Sequence, residues 1–219
     1  MSKMINLNID GIDVSVEEGK TVLDAAKKIK VKVPTLCFHE DLCVAGNCRV
    51  CVVEQEGKGL IASCAMPAQE GMKIHTNTLK VRRSRKHIIE LLLSEHNADC
   101  TKCFKNGNCE LQELANEYRT GNQVFLDLVP EKNYTVDQSS PSIMKDDSKC
   151  IRCQRCVRTC EQLQAVSALA VANKGGNMKI SSFFDRPMHE VVCTNCGQCI
   201  NRCPTGALIE VNDIENVWD

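Results

Sequence analysis

Sixteen cysteines in 219 residues dominate the chemistry open to this chain. Two runs repeat one spacing. Cys150, Cys153, Cys156 and Cys160 follow C-x2-C-x2-C-x3-C, and Cys193, Cys196, Cys199 and Cys203 follow it again, with Pro204 next. Three thiolates spaced this way can wrap one face of an iron–sulfur cube from a tight loop, while the fourth reaches the neighbouring cube. The spacing therefore assigns Cys150, Cys153, Cys156 and Cys203 to one 4Fe–4S cluster, and Cys160, Cys193, Cys196 and Cys199 to a second. Structural zinc uses pairs of C-x2-C and would leave a third cysteine in each run without a role. Gly197 and Gly206 are expected where the backbone passes close to a cluster.

The N-terminal third carries Cys37, Cys43, Cys48, Cys51 and Cys64. Four thiolates complete a 2Fe–2S rhomb. Cys37, Cys48, Cys51 and Cys64 supply one distant, two paired and one distant ligand, the plant-type logic with a longer first gap. Cys43 is then spare, as a small buried hydrophobe; the competing choice exchanges Cys43 with Cys37. A third group, His96, Cys100, Cys103 and Cys109, suits a 4Fe–4S cluster with one imidazole or a structural zinc. His96 could also simply favour the end of the preceding helix. The company of the other cysteine groups favours the cluster, and imidazole in place of thiolate is expected to raise its potential. His39, His75, His87 and His189 receive no metal role. The expected content is one 2Fe–2S and three 4Fe–4S clusters, drawing on fifteen of the sixteen cysteines.

The positioning elements are expected as follows. Residues 4–16 alternate in polarity about Asp10-Gly11 and predict a hairpin. Thr21 caps a short helix, VLDAAKKIK, with Val22, Leu23, Ala26 and Ile29 on one face and Pro34 as its stop. Strands are expected at 49–54, 60–64 and 73–76. A helix over 78–95 presents Val81, Ile88, Ile89, Leu92 and Leu93; a cysteine loop and a second helix from 110 to about 119 follow. Residues 121–148, with Pro130, Pro141 and the run DQSSP, predict a linker. The fold class is α+β. Residues 1–78 form a β-grasp-like 2Fe–2S domain, 79–120 a histidine-ligated 4Fe–4S domain, and 149–219 a two-cluster ferredoxin domain with internal pseudo-symmetry. The first two clusters are expected in one arm and the ferredoxin pair in another.

Composition removes several function classes. Lys plus Arg is 27 and Asp plus Glu is 28, a net charge of −1. That balance gives no electrostatic case for nucleic acid or an anionic membrane. Aromatics at 4% argue against base-stacking surfaces. The longest apolar stretch, 163–172, is too short to span a bilayer. The N-terminal MSKMINLNID lacks an apolar signal region, so the chain reads as cytoplasmic, where many cysteines mean metal or redox chemistry rather than disulfides. No G-x-G-x-x-G or P-loop appears, so no nucleotide or flavin site is visible. The basic run at 80–86 is either a docking face for an acidic partner or a solvated helix face. No catalytic residue stands out, and the chain is expected to carry electrons without a substrate site of its own.

VPTLC at 33–37, GNCRVC at 46–51, the His96 group with CELQ at 109–112, and the two ferredoxin runs span nearly the whole chain. Together they resemble the N-terminal iron–sulfur region of the large FeFe-hydrogenase subunit. They equally resemble the complex I subunit that carries a 2Fe–2S and a histidine-ligated 4Fe–4S cluster. The first half is also similar to the small diaphorase subunit of NAD-reducing hydrogenases. The resemblance implies an electron-transfer subunit beside a flavin subunit handling NAD(P)H, with a hydrogenase-type catalytic subunit and a ferredoxin as further partners. Beyond the second run and its corner at 204–206 only residues 207–219 remain, so the chain is similar to the stand-alone counterpart in electron-bifurcating hydrogenases whose hydrogen chemistry lies on a nickel–iron pair. The rivals are a subunit of a formate dehydrogenase or NADH:quinone-type complex, and a free polyferredoxin, which the weak net charge disfavours.

Overall fold

The computed structural model describes residues 3–120, 125 and 134–218. β1 (Met4–Ile9) and β2 (Ile12–Glu17) pair as the expected hairpin. Asp10 and Gly11 turn it at φ 51° and 86°, a left-handed pair that Asp-Gly adopts readily. Alternation buries Ile5, Leu7, Ile9, Val14 and Val16 on one side. α1 (Val22–Lys28) lies on that side and buries Val22, Leu23, Ala25 and Ala26. Thr21 Oγ1 accepts from the Asp24 N–H at 3.2 Å, and the Asp24 carboxylate accepts from the Thr21 N–H at 2.8 Å. This closes a capping box over the first helical turn. The helix ends well before Pro34, because Lys30 turns left-handed at φ 60°.

β3 (Val52–Gln55), β4 (Gly59–Ala62) and β5 (Lys73–His75) complete a five-stranded sheet in the order β2-β1-β5-β3-β4. β1 and β5 run parallel at its centre. α2 (Leu79–Ser94) starts at Thr78, whose hydroxyl accepts from the Val81 N–H, and α3 (Glu110–Glu117) packs beside it. The basic run at 80–86 is not one uniform charged face. Arg85 within it is only 3% exposed. It donates to the Val52 carbonyl at 2.7 and 3.1 Å and to the Tyr118 hydroxyl at 3.2 Å, tying α2 to β3 and to the end of α3.

The expected linker is in part a strand region. β6 (Val136–Asp137) and β7 (Ile143–Asp146) form a three-stranded antiparallel sheet with β10 (Leu208–Glu210). Ile143 pairs with Glu210 and is 1% exposed. A strand this short and flanked by Ser and Asp shows no periodicity, and its partner lies far along the chain. Residues 121–124 and 126–133 of that segment lie outside the described residues. The last third adds α4 (Arg155–Arg158), a β8 (Leu169–Ala172) and β9 (Lys179–Ser182) hairpin, α5 (Gln198–Arg202) and α6 (Ile214–Trp218).

The modules do not separate into two arms. One apolar core joins Leu36, Cys37 and Val50 from the first, Ile89, Leu93, Leu111 and Leu114 from the second, and Ile151 and Cys153 from the third. Burial of such contiguous apolar area is worth roughly 25 cal/mol per Å², so separating the modules would expose their main common contact.

Thr21→Ala deletes one half of the capping box. It is expected to lower stability by about 1 kcal/mol, read as an earlier urea midpoint at unchanged slope.

Candidate metal centres

In the first module, Gly46 and Arg49 are left-handed at φ 63° and 61° and bend the loop that carries Cys48 and Cys51. The Cys37 N–H donates to Cys48 Sγ at 3.4 Å, and Cys51 Sγ lies 3.3 Å from Cys64 Sγ. Hydrogen bonding among neighbouring thiols draws Cys37 down, through Cys48, to about 2, and draws Cys51 down, through Cys64, to about 6. The same bonds hold Cys48 and Cys64 up. These four sulfurs therefore form one group, with Cys37, Cys51 and Cys64 buried and Cys48 half-buried. Cys43 is exposed and stands outside it. Its N–H donates to Gln162 Oε1 at 3.1 Å, and Gln162 Nε2 donates to its sulfur at 2.7 Å.

In the second module, Cys100 opens a short 3-10 turn, Cys100–Lys102, that ends at Cys103, and Cys109 precedes α3. Burial pushes the Cys109 thiol up, and Cys103 and Cys100 lie near enough to add to that shift. Lys149 stands near both His96 and Gly206, which places His96 on the same wall. Burial lowers the pKa of His96 and favours the neutral imidazole, the form able to ligate a metal. Its Nδ1 is buried with no hydrogen-bond partner among the described residues. Gly206 closes the wall. A Cβ there would stand 2.8 Å from Cys103 Sγ and 3.4 Å from Lys149 Cδ. The close approach expected at Gly206 is thus made to a thiol of the other group.

The two runs in the third module repeat their backbone as well as their spacing. Arg152 and Asn195 are left-handed at φ 55° and 54°, and Gln154 and Gly197 at φ 63° and 70°. Each first pair aims its N–H at the preceding sulfur: Arg152 to Cys150 and Asn195 to Cys193, both at 3.4 Å. The repeats diverge at the fourth cysteine. After Cys156 the chain stays helical and widens into a π turn, Thr159–Leu163, carrying Cys160. Pro204 forces Cys203 to leave α5 in extended form, at φ −71° and ψ 119°. Two mainly apolar pockets result. One is lined by Cys150, Cys153, Cys156 and Cys203 with Ile151, Leu169, Ile180 and Leu208. The other is lined by Cys160, Cys193, Cys196 and Cys199 with Ile143, Val166 and Met188. Burial pushes Cys150 up to about 11 and Cys153 and Cys199 up to about 12. Such thiols ionise near neutrality only against a bound cation. No three ligating side chains among the described residues converge on a single-ion position; the sulfurs surround spaces instead. Four soft donors around an apolar space fit an iron–sulfur cluster.

Sequence reading missed the residues that bind these groups together. Arg155, 4% exposed, forks onto Glu110 at 2.6 and 2.9 Å. Arg158, 5% exposed, donates to the Cys37 carbonyl at 2.6 Å and to the Cys43 carbonyl. Arg152 pairs with Glu95, and Arg202 with Asp41 at 3.0 Å. A signal existed: Arg152, Arg155 and Arg158 of the first run align with Asn195, Gln198 and Asn201 of the second.

A β-grasp-like sheet carrying four thiols, joined to a pseudo-symmetric pair of four-cysteine pockets, defines an iron–sulfur protein of ferredoxin type. Known proteins agree. Three family signatures match: a 2Fe-2S iron-sulfur cluster binding domain over residues 2–79, an NADH-ubiquinone oxidoreductase-G iron-sulfur binding region over 85–123, and the ferredoxin-like domain of NADH-quinone oxidoreductase subunit 3 over 140–209. The chain is 42% identical, over 99% of its length, to the NADP-reducing hydrogenase subunit HndD of Solidesulfovibrio fructosivorans. It is 34% identical, over 93% of its length, to the mitochondrial NADH-ubiquinone oxidoreductase 78 kDa subunit of Candida albicans. It spans only 37% and 28% of those two relatives. A chain in the crystal structure of an NAD+-reducing [NiFe]-hydrogenase in its H2-reduced state superposes with a TM-score of 0.86 at 30% identity, covering 94% of this chain and 87% of that one. The protein belongs to the family of iron–sulfur electron-transfer subunits shared by NAD(P)H-linked hydrogenases and complex I-type oxidoreductases. Among the described residues no helix is long and apolar enough to cross a membrane.

Gly206→Ala should push Cys103 and Lys149 apart and cost the His96 group its metal. Iron and sulfide analysis is expected to fall by one cluster, with the signals of the other centres kept; full iron content in the variant would show that the contact does not matter.

Proposed function

We propose that this chain is the electron wire of a cytoplasmic NAD(P)-linked hydrogenase complex, with four centres and no substrate site of its own. Cys37, Cys48, Cys51 and Cys64 hold a 2Fe–2S cluster. His96, Cys100, Cys103 and Cys109 hold a 4Fe–4S cluster. Cys150, Cys153, Cys156 and Cys203 hold a second, and Cys160, Cys193, Cys196 and Cys199 a third. The observation that carries this reading is the exchange of fourth cysteines between the two pockets, with Cys203 lining the first and Cys160 the second. When bound, such clusters take up and release single electrons.

The protein's part is placement and insulation. Ile151, Leu169, Ile180 and Leu208 keep water from the first pocket. N–H groups of Arg152, Asn195 and Ala168 point at Cys150, Cys193 and Cys160, and donors to sulfur favour the more negative reduced state. The contact between Gly206 and Cys103 sets the His96 group against the first ferredoxin pocket, and the Arg158 bonds tie the Cys37 group to the same pocket. Domain limits at 1–78, 79–120 and 149–219 follow the cysteine groups. A flavin subunit handling NAD(P)H, a hydrogenase-type catalytic subunit and a ferredoxin are the partners proposed, in an electron-bifurcating assembly; the names of HndD and of the NAD+-reducing [NiFe]-hydrogenase support the hydrogenase side. A second reading, a subunit of an NADH:quinone-type complex, is favoured by the NADH-quinone oxidoreductase relatives. Isolation of the native complex separates them, since a flavin subunit and hydrogen-dependent NAD(P) reduction are expected for the first.

The anaerobic protein is expected to be brown, with about 14 iron atoms and as many acid-labile sulfides per chain. His96→Cys should keep its cluster and lower its potential in an EPR-monitored titration. Zinc at that site, or an unmoved potential, would overturn the assignment.

A further inference from the structure

Arg158 is buried yet has no carboxylate partner among the described residues. Its Nη2 donates to the Cys37 carbonyl at 2.6 Å and to the Cys153 carbonyl at 3.5 Å. Nη1 donates to the Cys43 carbonyl and Nε to the Gln154 carbonyl at 3.3 Å. Carbonyl dipoles satisfy these N–H groups but leave a full positive charge in the interior. Burying an unpaired cation is unfavourable, so a protein that keeps one has an anion to set against it. Arg155, one turn earlier, has Glu110. Arg85 is similarly buried and donates to the carbonyl of Val52, beside Cys51. Of these three arginines only Arg158 touches the backbone of ligand residues from two different sites, and through a single nitrogen. The corresponding position in the second run is Asn201, which is exposed and uncharged. The cation is therefore particular to the junction and not to the ferredoxin fold.

We propose that Arg158 is a positioning residue that serves as the shared counter-charge of the Cys37 and Cys153 metal sites and holds the reduction potentials of both upward. The inference rests on the cluster assignments above. Thiolate-ligated clusters carry net negative charge that grows on reduction, and potential follows local charge. A guanidinium bonded to the peptide groups of one ligand from each site favours the reduced form of both. It also holds the two peptides at a fixed separation, because its other nitrogens anchor the planar group on the Cys43 and Gln154 carbonyls.

The test uses the full chain purified anaerobically, with EPR-monitored redox titration of all centres. Iron and sulfide analysis of the unaltered protein reports separately on the cluster assignments. Arg158→Gln is expected to lower the potentials of the 2Fe–2S centre and of the first ferredoxin centre, while the other two move less. Unchanged potentials with iron intact, or an equal shift in all four centres, would overturn the proposal. Where Arg158→Gln loses iron, Arg158→Lys carries the test. Its ammonium keeps the charge but loses the anchors on Cys43 and Gln154, so the charge is no longer fixed between the two peptides. The potentials of these two centres are expected to move while the other two stay; unmoved potentials count against the shared charge.

Discussion

Two guanidinium groups from one turn of α4 hold the three modules together. Arg155 reaches Glu110 at the start of α3, and Arg158 reaches the carbonyls of Cys37 and Cys43. Both arise from the short helix that also carries Cys156, so the same turn that presents a thiol to the first pocket also fixes that pocket against its neighbours. Electron tunnelling falls steeply with distance, and a wire works only when its centres keep their separations. Module interfaces within one chain are commonly loose and polar. Here a continuous apolar core and buried cations replace that looseness. Removing one partner from such a bond leaves a buried charge behind, which is why these contacts set the geometry more strongly than surface ion pairs do.

Around that junction the backbone is shaped by left-handed residues. Arg152, Gln154 and Asn195 adopt φ values that glycine usually supplies, and only Gly197 is a glycine. Each costs of the order of 1 kcal/mol, and the return is an N–H aimed at a sulfur or a chain wrapped about a pocket. The pseudo-symmetry then breaks at the fourth cysteine of each run. A proline takes Cys203 out of its helix, while Cys160 stays inside a widened one. The difference lets each run complete the other's pocket. Backbone that departs from regular structure thus coincides with the chemistry, as expected where function outranks local stability.

Much of the fold was legible. The Asp10-Gly11 hairpin, the Thr21 cap and α2 beginning after Thr78 are all local signals, carried by residues a few positions apart. The misreadings have one cause. β7 looked like linker because its pairing with β10 spans more than the window in which periodicity is visible. Arg85 looked like one member of a surface charge run, docking or solvated, because its acceptors, Val52 and Tyr118, come from other elements. The two-arm picture failed because Leu36, Ile89 and Ile151, from three different modules, share one core whose contacts join positions remote along the chain.

The sequence by itself determined the donor types, their spacing within each run, and the duplication that pairs the runs, since these depend on chain steps of two or three residues and on the coordination chemistry of sulfur. Only the tertiary structure decided that Cys37 joins Cys48 while Cys43 turns out toward Gln162, that Gly206 serves Cys103, and that Arg158 lies between two groups of thiols. Those relations join positions remote along the chain. No pattern of nearby residues encodes them, because they arise from which buried surfaces and buried charges can satisfy one another once the chain has closed.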